Sequence, residues 1–238
     1  MTNLFYDLHI HSCLSPCGDN DMTPANIAGM AALKGLDIVA LTDHNTCRNC
    51  GPFMRAAQEY GLLAIPGMEL TTMEEIHEVF LFPDLEKAMA FDEYVYGRLQ
   101  KIPNRTDIFG DQLIYGYDDE IIGTEPYFLT NATDISFDET WELAERFGGA
   151  TFPAHLDKST TSLLSSFGYI PEDSSFVTAE VKDLSKLHAL RREHPYLEKC
   201  RIISDSDAHY LQDIHEAELT IQLPERTPQA VIDYILGY

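Results

Sequence analysis

The chain has 238 residues, 45% of them hydrophobic, and carries a formal net charge of -23. No apolar run approaches the roughly 18 residues a membrane span requires, which excludes a bilayer as its solvent. The acidity argues against a nucleic-acid polymer, whose binding needs clustered Lys and Arg to neutralise phosphates. A small phosphorylated substrate stays open, because divalent cations offset carboxylates and themselves attract phosphate.

The N-terminal MTNLFYDLHIHS has neither the basic nor the apolar stretch of a secretory leader, so a cytoplasmic location is expected. In that compartment the five cysteines are expected as thiols or metal ligands rather than disulfides. Short apolar and β-branched segments at 4–10, 36–42, 62–67, 77–82, 149–154, 176–181 and 201–206 read as strands. Helical patterns lie between them at 24–34, 51–60, 85–96, 138–147 and 228–236; Thr23 is placed to cap the first, with Pro24 in its first turn. This alternation predicts parallel strands in a single domain, residues 1–238, of the α/β class. The interval 97–135 breaks the rhythm with scattered Pro, Gly, Asn and Asp and is expected to be an inserted hairpin or lid.

Candidate ligands fall at or just beyond strand C-terminal ends: His9 and His11, His44, Glu69, His155, then Asp207 and His209. In α/β barrels that end is where sites are built. His9 and His11 are two apart on an extended segment, so both imidazoles project from one face; Asp207 and His209 repeat the spacing. One His-x-His pair is more often incidental than metal-binding. Two such pairs, with Asp7, Asp43 and Asp205 beside them as partners for imidazole N–H groups, point to a metal centre. Imidazole with carboxylate suits Zn, Mn or Fe, and a carboxylate such as Glu69 can bridge two ions.

DLHIHS at 7–12, TDHN at 42–45, GMEL at 67–70, PAHLD at 153–157 and SDSDAH at 204–209 resemble, in order and spacing, the motifs of the PHP (polymerase and histidinol phosphatase) superfamily. The resemblance implies a distorted (βα)7 TIM-like barrel with a trinuclear centre. One ion would be held by His9, His11, Glu69 and Asp207; a second by Glu69 with His77 and His155; a third by His44 and His209. The third position calls for one more ligand, and SCLSPCGDND offers Cys17 first and Asp19 next. Cys13, Cys17, Cys47 and Cys50 also permit a separate four-cysteine zinc or iron–sulfur site.

The resulting expectation is a metal-dependent phosphoesterase that cleaves a phosphate ester of a small metabolite or nucleotide by metal-activated hydroxide. Lys158 is a candidate for the substrate phosphate, Arg105 and Arg48 weaker ones; each is equally compatible with a solvated surface role. Two alternatives stay open, an amide- or lactone-cleaving metallohydrolase and a metal or iron–sulfur sensing module. Trp141 and the tyrosines at 94, 96, 115, 117 and 127 are expected to pack rather than bind, and His188, His194 and His215 lack a ligand-like context. The oligomeric state is not legible.

Overall fold

Residues Ile38–Leu41 are four consecutive apolar side chains, all buried. Such a run suits a central strand covered on both faces. The computed structural model, which describes residues 1–238, places them as strand β2 between β1 (Thr2–Asp7) and β3 (Leu63–Thr71), both parallel to it. From β3 the sheet continues antiparallel through β4 (His77–Leu81) to β7 (Ala150–Pro153). On the other side β10 (Thr220–Leu223) pairs antiparallel with β1, giving the order β10-β1-β2-β3-β4-β7. β8 (Thr178–Glu180) and β9 (Arg201–Ile203) form a separate parallel pair, and the sheet curls so that the bridge Ile10–Ala208 brings the segment after β9 back to the segment after β1.

The helices are α1 (Pro24–Leu33), α2 (Cys50–Glu59), α3 (Leu85–Arg98), α4 (Thr106–Phe109), α5 (Thr140–Arg146), α6 (Leu163–Phe167), α7 (Leu187–Glu193) and α8 (Pro228–Ile235). Thr23 caps α1 by accepting from the Asn26 N–H at 3.2 Å, with Pro24 at the first position as expected. Alternate residues of β2 enter different cores, Val39 and Leu41 facing the helices with Phe53, Phe80 and Phe91, Ile38 and Ala40 facing the interior of the curl with Ile65, Phe152 and Val231 of α8. No helix is long and apolar enough to cross a membrane.

The α/β class and the curled, TIM-like sheet agree with expectation. Uniform βα alternation does not describe the chain: β4 and β10 run antiparallel to their neighbours, and β10, a short strand with alternating burial, carries too few apolar residues to stand out in sequence. Within 97–135 the chain does form a hairpin, β5 (Leu113–Tyr115) with β6 (Ile121–Thr124). It is anchored to the segment after β1, for Leu113 N–H donates to the Cys13 carbonyl at 2.9 Å.

Phe91 stacks on Phe80 with ring centroids 4.5 Å apart and meets Phe82 at 5.1 Å and Phe147 at 5.4 Å. Phe91→Ala should therefore cost about 3–5 kcal/mol, the range for a buried aromatic whose cavity only partly collapses. Urea unfolding followed by circular dichroism measures it; a loss below 1 kcal/mol would mean that the helix-side core repacks freely.

Candidate metal centre

The strands deliver their ligands to one end of the curled sheet. His9 and His11 follow β1, His44 follows β2, Glu69 lies near the end of β3, His155 follows β7, and Asp207 and His209 follow β9. Because β4 runs the opposite way, its first residue, His77, arrives at the same end.

Glu69 is fully buried at the middle of this cluster. Its Oε1 lies 3.2 Å from His9 Nε2, 2.8 Å from His77 Nδ1 and 3.0 Å from His155 Nε2, and its Oε2 lies 3.3 Å from His11 Nε2 and 2.9 Å from His44 Nδ1. Asp207 Oδ1 completes the arrangement at 3.4 Å from His11 Nε2 and 3.7 Å from His9 Nε2. Three groups of donor atoms fall within 4.8 Å of one another: His9, His11, Glu69 and Asp207; His44, Glu69 and His77; and His11, His44 and His209. The first coincides with the expected first ligand set. The second replaces His155 by His44, although His155 Nε2 still faces Glu69, and the third contains His11 in place of Cys17.

These residues fit divalent cations. His9 Nε2 and His11 Nε2 face each other at 3.2 Å. His44 Nδ1 and Glu69 Oε2, though 2.9 Å apart, make no aligned hydrogen bond, and both are buried without another partner. Lone pairs that converge on shared space without bonding one another are what a cation satisfies. Burial, against the pull of Glu69, lowers His44 to about 3; burial and repulsion from His11 lower His209 to about 4. Both are neutral at pH 7, the ligating form. Burial opposes the charge on Glu69, but His77, His9 and His44 outweigh it and hold the carboxyl well below its ordinary range. Burial likewise disfavours protonation of His9, yet Glu180, Glu69 and Asp207 raise it well above its usual value, so cation uptake there displaces a proton.

The supporting groups differ in part from expectation. Asp43 acts through serine: it accepts from Ser15 Oγ at 2.7 Å, and Ser15 Oγ lies 3.1 Å from His11 Nδ1. Asp7 and Asp205 bind backbone instead of imidazoles, Asp205 accepting from Leu8 N–H at 2.6 Å and Asp7 from Ser206 N–H at 3.1 Å. Glu180, overlooked in the sequence, lies 3.0 Å from His9 Nδ1. The available signal was an acidic residue at the end of an apolar strand segment, the kind of position that also holds His44, Glu69 and His155. His155 and Asp207 have φ of 30° and 48°, and Asn45, beside His44, has 52°. Left-handed backbone at non-glycine residues is a strained feature that gathers at functional sites.

Lys158 lies at the centre, paired with Asp207 Oδ2, and Lys182 approaches the same oxygen at 3.7 Å. Arg105 is not brought there; it is exposed and pairs with Asp107 two residues on. Arg48 pairs with Glu125 and lies over the Tyr96 ring, a packing role. Cys47 and Cys50 are buried with their thiols directed at the Gly67 carbonyl, while Cys17 is exposed. Although Cys17 is exposed as a residue, its thiol is shielded and lies near the carboxylates of the cluster: desolvation, then the charge of Glu69, pushes it up to about 12. None of the three donor groups includes a cysteine.

The PHP domain model matches residues 7–220. The chain belongs to the PHP domain family. Among curated relatives of this PHP chain, protein MJ1587 of Methanocaldococcus jannaschii is 36% identical over 98 residues, covering 37% of this chain and 57% of that protein. The 5'-3' exoribonuclease of Haemophilus influenzae is 36% identical over 67 residues, 28% of this chain and 23% of its own length. The lesion-specific endonuclease EndoQ of Pyrococcus furiosus superposes with a TM-score of 0.68 at 20% identity, over 99% of this chain and 56% of that one. The chain thus spans less than two thirds of the length of these relatives. Family and ligand cluster together agree with the expected PHP-type fold and with a cluster suited to divalent cations. They overturn the expectation that acidity disfavours nucleic acid, because two of these three relatives are named as nucleases. The physical reason is that net charge sums the whole surface and says nothing of where charge lies: Lys158 and Lys182 stand beside Asp207 in the ligand cluster.

The low values of His44 and His209 fix the sign of a pH effect. Unfolded, each takes up a proton near pH 6.5; folded, they do so only near 3 and 4. The unfolded state therefore binds more protons in that window, and both groups withdraw stability as pH falls from about 6.5 toward 4. In chelator-treated protein, His209→Gln should flatten the fall of Tm across this window. An unchanged slope would assign that fall to other groups.

Proposed function

We propose that this chain hydrolyses phosphate esters of nucleic acids or of their nucleotide ends at a three-cation centre built around Glu69. The observation that carries the substrate class is the convergence of Lys158 and Lys182 on Asp207 Oδ2. A chain with 16 Lys and Arg against 39 Asp and Glu places two of its few cations beside a candidate metal ligand. A phosphate dianion gains more from such a pair than a neutral carbonyl does, which favours this reading over amide or lactone cleavage. The names of the exoribonuclease and endonuclease relatives support nucleic acid as the source of the ester.

The ions would be held by His9, His11, Glu69 and Asp207, by Glu69 with His77 and His155, and by His44 with His209 and His11. When bound, such ions supply Lewis acidity and an activated water for attack at phosphorus. The protein's own part is positional. Glu69 spaces the imidazoles, Asp207 turns one oxygen to the ligands and the other to the lysines, and Lys158 exchanges that carboxylate for a phosphate oxygen as substrate enters.

Turnover should be sought on single-stranded RNA and DNA oligonucleotides, duplex DNA with an abasic site, and mononucleotides, with Mn, Zn or Fe(II) supplied in turn. His9→Ala should remove activity by at least about 10³-fold, since it deletes a ligand. Lys158→Met should raise KM about ten-fold or more, the scale of one charge-assisted hydrogen bond. Hydrolysis of esters or lactones with none of phosphate esters would defeat the proposal. So would a fully active His9→Ala protein.

A further inference from the structure

Glu180 ends β8 and belongs to none of the three donor groups, yet it is completely buried behind them. Its Oε2 lies 3.0 Å from His9 Nδ1 and accepts the backbone N–H of His155 at 2.9 Å. The other oxygen, Oε1, is buried without a hydrogen-bond partner. The two residues it reaches serve different places. His9 directs Nε2 toward His11, Glu69 Oε1 and Asp207, whereas His155 directs Nε2 at Glu69 Oε1, which His77 also meets at 2.8 Å. His155 also holds a φ of 30°, a conformation that a non-glycine residue keeps only when its surroundings over-determine it.

We propose that Glu180 is a positioning residue shared by two cation positions, fixing the His9 imidazole at one and the His155 backbone at the other. Accepting from Nδ1–H leaves His9 Nε2 unprotonated and aimed at the first position. Holding the His155 N–H sets the left-handed turn that carries its ring to the second. One carboxylate oxygen thereby links β8, the segment after β1 and the segment after β7, so the two positions weaken together when it is lost. The third position, formed by His11, His44 and His209, has no contact with Glu180. The proposal rests on the three-cation reading above.

The test is cation stoichiometry and affinity, measured by equilibrium dialysis against Zn or Mn with elemental analysis, for wild type, Glu180→Gln, His9→Ala and His155→Ala. Glu180→Gln keeps the shape but presents an amide, and losing such a partner typically costs about 10–100-fold in metal affinity. At a concentration that just saturates wild type, Glu180→Gln should lose two equivalents together and keep one, whereas His9→Ala and His155→Ala should each lose one. Glu180→Asp, which restores the charge on a shorter arm, should recover part of the affinity at both positions. Wild-type stoichiometry and affinity in Glu180→Gln would overturn the proposal, as would loss at one position only.

A measurement without substitution covers the case of a variant that does not fold. In the zinc-loaded wild-type protein, ¹⁵N–¹H correlation of the imidazoles should show His9 protonated at Nδ1. A proton at Nε2 instead would overturn the assignment. Wild-type protein that takes up no divalent cation would sink the metal centre itself, a result distinct from three bound cations that ignore Glu180.

Discussion

One buried carboxylate faces five imidazoles. Glu69 receives His9, His77 and His155 around one oxygen and His11 and His44 around the other, all within 3.3 Å. In a low-dielectric interior this charge is tolerable only because positive or cation-binding groups surround it. The histidines arrive from four strands, His9 and His11 after β1, His44 after β2, His77 at the start of β4 and His155 after β7, so the sheet has to curl until those ends converge. The architecture and the centre therefore impose one requirement on each other.

The seam of the curl is closed with carboxylates as well. Asp205 accepts from Leu8 N–H while Asp7 accepts from Ser206 N–H, a reciprocal clasp across almost the whole length of the chain. Both side chains are fully buried, and burial raises both carboxyls above their usual range. The clasp sets the two His/Asp-bearing segments against each other, which places His9 and His11 opposite Asp207.

Much of this was legible in the sequence because ligands at strand ends leave a local trace. The pairs His9/His11 and Asp207/His209 show their geometry through a spacing of two, and His44, Glu69 and His155 sit at the ends of apolar runs. What escaped was long-range. Asp7 and Asp205 stand beside the histidines in sequence, yet their partners are backbone amides far along the chain. Glu180 resembles an ordinary strand-end residue until folding brings β8 behind His9. Cys17 was the expected completion of the third position, but it lies outside the three donor groups, one of which joins His11 to His44 and His209. Net charge misled because a summed quantity carries no information about location.

The pair of lysines at Asp207 also bears on how a charged ligand reaches the centre. A polyanion approaching a surface of net charge -23 is repelled at long range. On the proposed reading it would be attracted only at the last few ångströms, where Lys158, Lys182 and bound cations would outweigh the surface. Salt shortens the reach of the repulsion to a Debye length of roughly 8 Å at physiological ionic strength, while the contact at the half-buried Lys158 is screened less. On the proposed reading, moderate salt would speed the encounter, the reverse of the behaviour of basic nucleic-acid-binding proteins, and the acidic exterior would act as a kinetic filter that favours short or flexible strands over long stiff ones.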